Sequence, residues 1–199
     1  MVLAKVELTE YGIKDIRINF YGDIQITSVL SDLIRLRVLY KYILNTLKIT
    51  VFKKDQEKLI AEKKELVTSV AKLQSETKFW LFNREVRNKV DDLRIQIDGI
   101  DFKLNKLSNK IQALKDDSYY DFYEKKQKYY NLLSTLGFSN KGSTNKGTTT
   151  IEDYEFCGDE KELLEKVREM YNELAEALEY EKAKIKKEYN KSNLENLIK

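Results

Sequence analysis

The sequence predicts a mainly α protein whose long helices form an antiparallel coiled-coil-like hairpin, with a small N-terminal antiparallel β element. Three observations favour this class. The 199 residues include no proline and only 7 glycines, so few positions interrupt a helix. Apolar residues between 86 and 114 recur at alternating spacings of three and four. Before residue 28, apolar and polar residues alternate, as they do in strands.

The N-terminal segment, 1–52, is predicted to hold the β element and one helix. Apolar residues alternate with polar ones over 2–8 and over 16–26, with glycine-containing breaks, which is typical of a hairpin or meander. So small a sheet needs a helix to cover its apolar face. We expect that helix over 28–47, where apolar residues recur every three or four positions and a serine is available as N-cap.

Residues 53–117 are predicted to form the helical hairpin. Its first helix starts after Asp55, a suitable N-cap, and has leucines at every seventh position. The second helix carries nine heptad positions that span about 43 Å at 1.5 Å per residue. The two patterns are out of phase, so we place a chain reversal within 75–83 rather than one bent helix, whose apolar stripe would stay unpaired. The nine positions, called the heptad stripe below, are Val86, Val90, Leu93, Ile97, Ile100, Leu104, Leu107, Ile111 and Leu114.

Two segments follow the hairpin. Residues 118–138 are predicted to form a Tyr-rich helix that starts at Ser118 and ends at Gly137 in a Schellman motif. Residues 139–150 repeat Asn-Lys-Gly and contain no apolar anchor. We therefore expect a flexible linker there, whose deletion would leave the melting temperature nearly unchanged.

The last segment, 151–199, is predicted to be a long acidic C-terminal helix. Asp159 and Glu162 have the spacing of a capping box at its start, and 151–156 can add one strand before it. The segment carries 14 acidic and 9 basic residues, whereas 1–150 carries 19 acidic and 27 basic ones. The predicted buried side of the helix contains Leu163, Val167, Met170, Leu174 and Ala177.

Composition also bears on chemistry and location. The chain has no histidine, which removes the commonest general base and every histidine-containing zinc site. Cys157 is the single cysteine, so no internal disulfide or thiolate cluster can form. We expect a protein that is not an enzyme and holds no cofactor or metal. With no leader and no apolar run of 18 residues, we expect it to be cytoplasmic and not membrane-spanning.

Two groups of residues are candidate partner-binding sites. Four large apolar residues lie at the predicted reversal, where exposure to water is unfavourable unless a partner or another helix covers them. Five glutamates and Asn172 recur at spacings of three and four along the last helix, and such a ridge suits a basic groove in another protein. The first group is Phe79, Trp80, Leu81 and Phe82; the second is Glu162, Glu165, Glu169, Glu176 and Glu179.

A third group favours a different function class. Lysines and tyrosines alternate in the Tyr-rich helix, which is the composition of a single-stranded nucleic-acid platform. Packing of part of this helix in the core is the competing interpretation. The residues concerned are Lys125, Lys126, Lys128, Tyr129 and Tyr130.

The leading functional hypothesis is a non-enzymatic coiled-coil protein–protein interaction protein that acts as a scaffold, adaptor or inhibitor. Its lysine-rich, arginine-poor composition suggests an A+T-rich genome, and a phage or mobile-element protein that binds a host or defence complex is a special case. Nucleic-acid association through the Lys/Tyr helix is the alternative. The sequence does not distinguish a monomer from a homo-oligomer, because an intramolecular hairpin and an intermolecular coiled coil satisfy the same heptads.

Overall fold

The computed structural model describes residues 4–9 and 24–197, and the predicted class is confirmed: the chain is mainly α with a small three-stranded antiparallel sheet. The described residues form two compact units. The hairpin unit is Asn45–Asp117, and the sheet unit takes its residues from the chain up to Leu44 and from Ser118 onwards. The elements are β1 (Ala4–Thr9), α1 (Ile24–Glu76), a 3₁₀ turn (Trp80–Phe82), α2 (Arg84–Tyr123), α3 (Lys125–Thr135), β2 (Ser139–Lys146), β3 (Thr149–Phe156) and α4 (Glu160–Leu197).

Within the hairpin unit, α1 and α2 pack antiparallel. Gln56 donates to the Ser108 hydroxyl at 2.9 Å. Seven residues later in α1, Lys63 donates to Asp101 at 2.6 Å, and Asp101 is seven residues earlier in α2. Every position of the heptad stripe is buried or half-buried, as the 3.5-residue period predicts. The opposing stripe of α1 includes Leu59, Leu66, Val70 and Leu73, all half-buried.

The helix boundaries differ from the predicted ones. Separate helices over 28–47 and from Asp55 are wrong, because α1 runs unbroken over Ile24–Glu76. This stretch contains neither glycine nor proline, and its β-branched Thr50 donates its hydroxyl to the Thr46 carbonyl at 2.8 Å, so nothing forces a break. Ser118 is likewise not an N-cap, since α2 continues to Tyr123.

The N-terminal strand finds its partner far away in sequence. We predicted a local hairpin or meander over 2–26, but β1 pairs antiparallel with β3, with Ala4 opposite Phe156. Ile24 and Ile26 begin α1 instead of forming a strand. The predicted strand positions at Val2 and within 10–23 lie outside the described residues.

The flexible linker predicted over 139–150 is wrong, because these residues form β2, a turn and the start of β3. Gly147, with φ of 64°, supplies the left-handed backbone that a two-residue hairpin turn needs. A register shift between Asn140 and Gly142 marks a bulge at which Gly142 adopts φ of 135°. The sheet order is β1-β3-β2, and the strand predicted over 151–156 is confirmed as part of β3. Backbone pairing stabilises this polar hairpin, and no side-chain periodicity reports it.

The core of the sheet unit lies between the sheet and helices α1, α3 and α4. The predicted Schellman motif is confirmed: the Phe138 N–H donates to the Leu133 carbonyl at 2.9 Å, and Gly137 has φ of 89°. Asp159 caps α4 by accepting from the Lys161 N–H at 3.3 Å. The most deeply buried side chains of this core include Val6, Leu30, Leu33, Leu133, Leu136, Leu163 and Val167.

Candidate interaction surfaces

The chain reversal of the hairpin lies where the sequence predicts it. Helix α1 ends at Glu76, and Phe79 then adopts the left-handed region with φ of 60°. Such a backbone is unfavourable for a bulky side chain by about 1–3 kcal/mol. The turn closes with the Phe82 N–H donating to the Phe79 carbonyl at 2.9 Å. Asn83 then caps α2, because its Oδ1 accepts from the Val86 N–H at 3.2 Å.

The turn presents three large apolar side chains to solvent. Phe79, Leu81 and Phe82 are 71%, 57% and 86% exposed, and we call these three residues the tip. Trp80, which the sequence grouped with them, is half-buried instead. The Arg94 guanidinium carbon lies 6.0 Å from the centre of its ring, within cation–π range. Arg94 of α2 therefore contacts Trp80 of the turn, and the other three side chains face solvent.

Basic residues flank the tip in the sequence. Lys78 precedes it, and Arg84 and Arg87 follow in the first turn of α2; all three are exposed. Glu85 is the one acidic residue in the same stretch, 78–87. The tip is therefore an apolar surface with three exposed basic residues as sequence neighbours, and Glu76 and Glu85 are the nearest acidic ones.

The acidic ridge predicted on the last helix is on the surface of α4. All five glutamates are exposed. Glu162 pairs with Lys166 at 2.7 Å, and Glu179 pairs with Lys182 at 2.6 Å. The hydrogen bond from Lys182 lowers the pKa of Glu179. Ala177, which we predicted on the buried side of α4, is exposed. Leu178, 5% exposed, continues the buried stripe of α4 instead.

The Lys/Tyr helix is divided between core and surface. Tyr129 packs in the core of the sheet unit. Lys128 forms an ion pair of 2.5 Å with the buried carboxylate of Asp121. Lys125 is half-buried, and the Lys126 side chain lies outside the described residues. Tyr130 is 46% exposed. Because Tyr129 is buried and Lys128 is paired, the described side chains of this group do not form one solvent-facing platform.

A groove that the sequence did not predict lies between α3 and the sheet. It encloses about 580 Å³ and is lined by residues that include Glu124, Tyr130, Ser143 and Glu152. Beside it, the Tyr154 hydroxyl donates to Glu152 at 3.0 Å and accepts from the Asn140 amide at 3.3 Å. Burial and the Glu152 carboxylate raise the Tyr154 pKa from 10.0 to about 12. The sequence gives no periodic signal for this groove, because the groove depends on β2, a segment predicted as a linker.

Within the described ranges, no three metal-binding side chains come together in one place. None of the helices described has both the length and the apolar character needed to cross a lipid bilayer. Comparisons with protein-family models, with curated proteins and with solved structures found no match.

Proposed function

We propose that this chain is a non-enzymatic protein–protein interaction protein, a scaffold, adaptor or inhibitor, that docks the tip of its helical hairpin on another protein. The observation that carries the proposal is the exposure of Phe79, Leu81 and Phe82 on one ordered turn. Aromatic and large aliphatic side chains are the usual anchors of interfaces, and burial of each contributes about 1.5–3 kcal/mol.

The construction of the turn also supports docking. The backbone bonds across the turn and the Arg94–Trp80 contact hold the tip in one conformation before a partner arrives, against the strain of the left-handed Phe79. A surface ordered in advance loses less conformational entropy on binding. The partner site that fits is an apolar pocket with acidic residues at its rim, because the exposed Lys78, Arg84 and Arg87 flank the tip in the sequence.

The glutamate ridge of α4 is the second contact surface of the proposal. Its exposed carboxylates suit a basic groove, and long-range attraction of this kind raises the rate of association. The lysine-rich composition favours a phage or mobile-element protein that binds a host or defence complex as the special case.

Nucleic-acid association is the second candidate function. Tyr130 supports it because its exposed ring can stack on a base. Lys128 weakens it, because Asp121 already neutralises that lysine. The two candidates differ in salt dependence: phosphate contacts weaken steeply between low and moderate salt, whereas apolar docking does not.

The decisive experiment captures the partner with the full-length chain from its source cell and then measures affinity with the purified partner. The variant Leu81→Ser with Phe82→Ser should bind at least about 100-fold more weakly, because two buried anchors are lost. The control is Ile60→Ser with Val67→Ser, which removes two apolar residues of α1 that are 56% and 47% exposed. Equal affinity for both double variants would contradict tip docking.

A bilayer is the other surface that an apolar tip flanked by basic residues can meet. Trp80 is the single tryptophan, so its fluorescence reports on the tip alone. Vesicles of phosphatidylserine and phosphatidylcholine should leave its emission maximum unchanged if the receptor is a protein. A blue shift that the double tip variant abolishes would assign the tip to lipid and overturn the proposal.

A further inference from the structure

The side of α2 opposite the heptad stripe exposes two large apolar residues. Ile95 is 68% exposed and Phe102 is 72% exposed. They are seven residues apart, so they lie on the same side of the helix. Neither contributes to the pairing of α2 with α1, which uses the heptad stripe.

Residues on this side are arranged symmetrically about the peptide between Asp98 and Gly99. Asn88 and Asn109 are equally far from that peptide, as are Asp91 and Lys106, and as are Ile95 and Phe102. All are exposed, and apart from the adjacent Asp98 and Gly99 they recur every three or four positions. We call this set the α2 outer face: Asn88, Asp91, Ile95, Asp98, Gly99, Phe102, Lys106 and Asn109.

We propose that the α2 outer face is the contact surface for a second copy of this chain, with the two α2 helices antiparallel and related by a two-fold axis near Gly99. In that arrangement Ile95 of each copy meets Phe102 of the other. Asp91 of each copy meets Lys106 of the other, so both ends of the contact carry opposite charges. The antiparallel pair brings like charges together only at the two Asp98 carboxylates near the axis, whereas a parallel pair does so at Asp91, Asp98 and Lys106 and is more repulsive.

Gly99 gives independent support. Glycine inside a helix is destabilising relative to alanine. A Cβ built at Gly99 has no atom within 4 Å beyond its helical surroundings, so packing within the chain does not require glycine here. At the crossing point of two helices, the missing side chain lets the backbones approach closely. The glycine therefore lies where the proposed two-fold axis needs it.

Sedimentation equilibrium of the full chain tests the association. The weight-average mass should rise from 23.5 kDa towards twice that value as concentration increases into the range of about 10–100 µM, typical of a small interface. Ile95→Ser with Phe102→Ser should remove the rise. The matched control, Ile60→Ser with Val67→Ser on α1, should keep it. A monomer at every concentration, or equal loss in both pairs, would overturn the proposal.

Charge reversal tests the orientation without removing apolar area. Asp91→Lys or Lys106→Asp alone should each weaken association about tenfold or more. The two together should restore it, because the opposite charges meet again with their signs exchanged. Far-UV circular dichroism confirms that each variant is folded. Failure of the double variant to recover would exclude the antiparallel register, even if the chain dimerises.

Disulfide trapping fixes the axis. In a Cys157→Ser background, Gly99→Cys should cross-link to its own copy under mild oxidation, since identical residues near a two-fold axis are adjacent. Asn88→Cys should not, because its counterpart is Asn109 of the other copy; a mixture of Asn88→Cys and Asn109→Cys chains should cross-link. Efficient self-linking of Asn88→Cys would indicate a parallel pair and contradict the proposal. These readouts are independent of tip docking.

Discussion

The hairpin unit and the sheet unit bury their apolar residues to different depths. In the sheet unit, Leu30, Leu133 and Leu163 come from three different helices and are at most 1% exposed. In the heptad stripe only Val90, Ile100 and Ile111 are buried, and the other six positions are half-buried. Two helices alone can shield one side of each other, whereas helices on a sheet enclose residues from several directions. The sheet unit therefore carries the deeper core, and the hairpin unit leaves more surface for contacts.

Truncation of one leucine in each unit tests this difference in depth of burial. Leu133→Ala leaves a cavity in an enclosed core and should lower the free energy of unfolding by about 2–5 kcal/mol. Leu104→Ala, at a half-buried position of the stripe, should cost about 1–2 kcal/mol because the gap is open to water. Urea unfolding followed by circular dichroism measures both. Equal losses would show that the two cores are equally enclosed.

Deletion of Asn140–Gly147 tests whether β2 belongs to the sheet unit. The deletion removes most of the partner strand of β3 and the Asn140 bond to Tyr154, so the melting temperature should fall by about 4–8 °C. The exposed Lys141→Ala variant at the bulge is the control and should melt within about 1 °C of the parent. An unchanged melting temperature after the deletion would support the flexible linker that the sequence predicts.

A smaller effect is expected from the ion pair that joins the two helices of the hairpin. Lys63 takes a position within the α1 stripe and contacts both Asp101 oxygens, at 2.6 and 2.7 Å. The side chains are 35% and 43% exposed, so solvent screens the pair. A double-mutant cycle with Lys63→Met and Asp101→Asn should give a coupling of about 0.2–1 kcal/mol that declines with salt. A coupling of zero would mean that this ion pair does not contribute to the register.

A further expected effect is a pH dependence that arises in the sheet unit. The Tyr154 pKa is about 12 in the folded chain against 10.0 for an unperturbed tyrosine, so the fold favours the protonated phenol. Its contribution to stability is fully present below pH 10 and is lost as the pH rises through about 12. Between pH 9.5 and 11.5, about the accessible window, the parent should lose more unfolding free energy than Tyr154→Phe. Parallel curves would contradict the raised pKa.

The same difference between the units explains what the sequence could predict. The heptad stripe and the reversal depend on contacts between residues close in the chain, and the 3.5-residue period reports them directly. The pairing of Ala4 with Phe156 depends on distant residues, and no local pattern reports it. β2 was missed for a related reason: its sequence, Ser-Asn-Lys-Gly-Ser-Thr-Asn-Lys, is polar on both sides, and backbone hydrogen bonds to β3 hold it.

In the candidate surfaces too, the local sequence pattern does not determine which residues are exposed. The sequence placed four apolar residues at the reversal but could not separate Trp80, which packs near Arg94, from its three exposed neighbours. Tyr129 and Tyr130 are adjacent and chemically equal, and only the helix orientation decides that one is buried. The outer-face residues Ile95 and Phe102 do have a sequence signal, their spacing of seven. That signal is visible only once the heptad stripe is assigned to the other side of α2.

Hydrogen exchange on the complex between this chain and its captured protein partner tests tip docking most directly. If the tip docks, backbone amides from about residue 77 to residue 87 should exchange more slowly in the complex, because the turn is buried and its local opening is suppressed. The core amides of α1 and α3 should exchange as in the free chain. Unchanged exchange at the tip, with new protection confined to α3, would contradict docking through the hairpin and assign partner binding to the sheet unit.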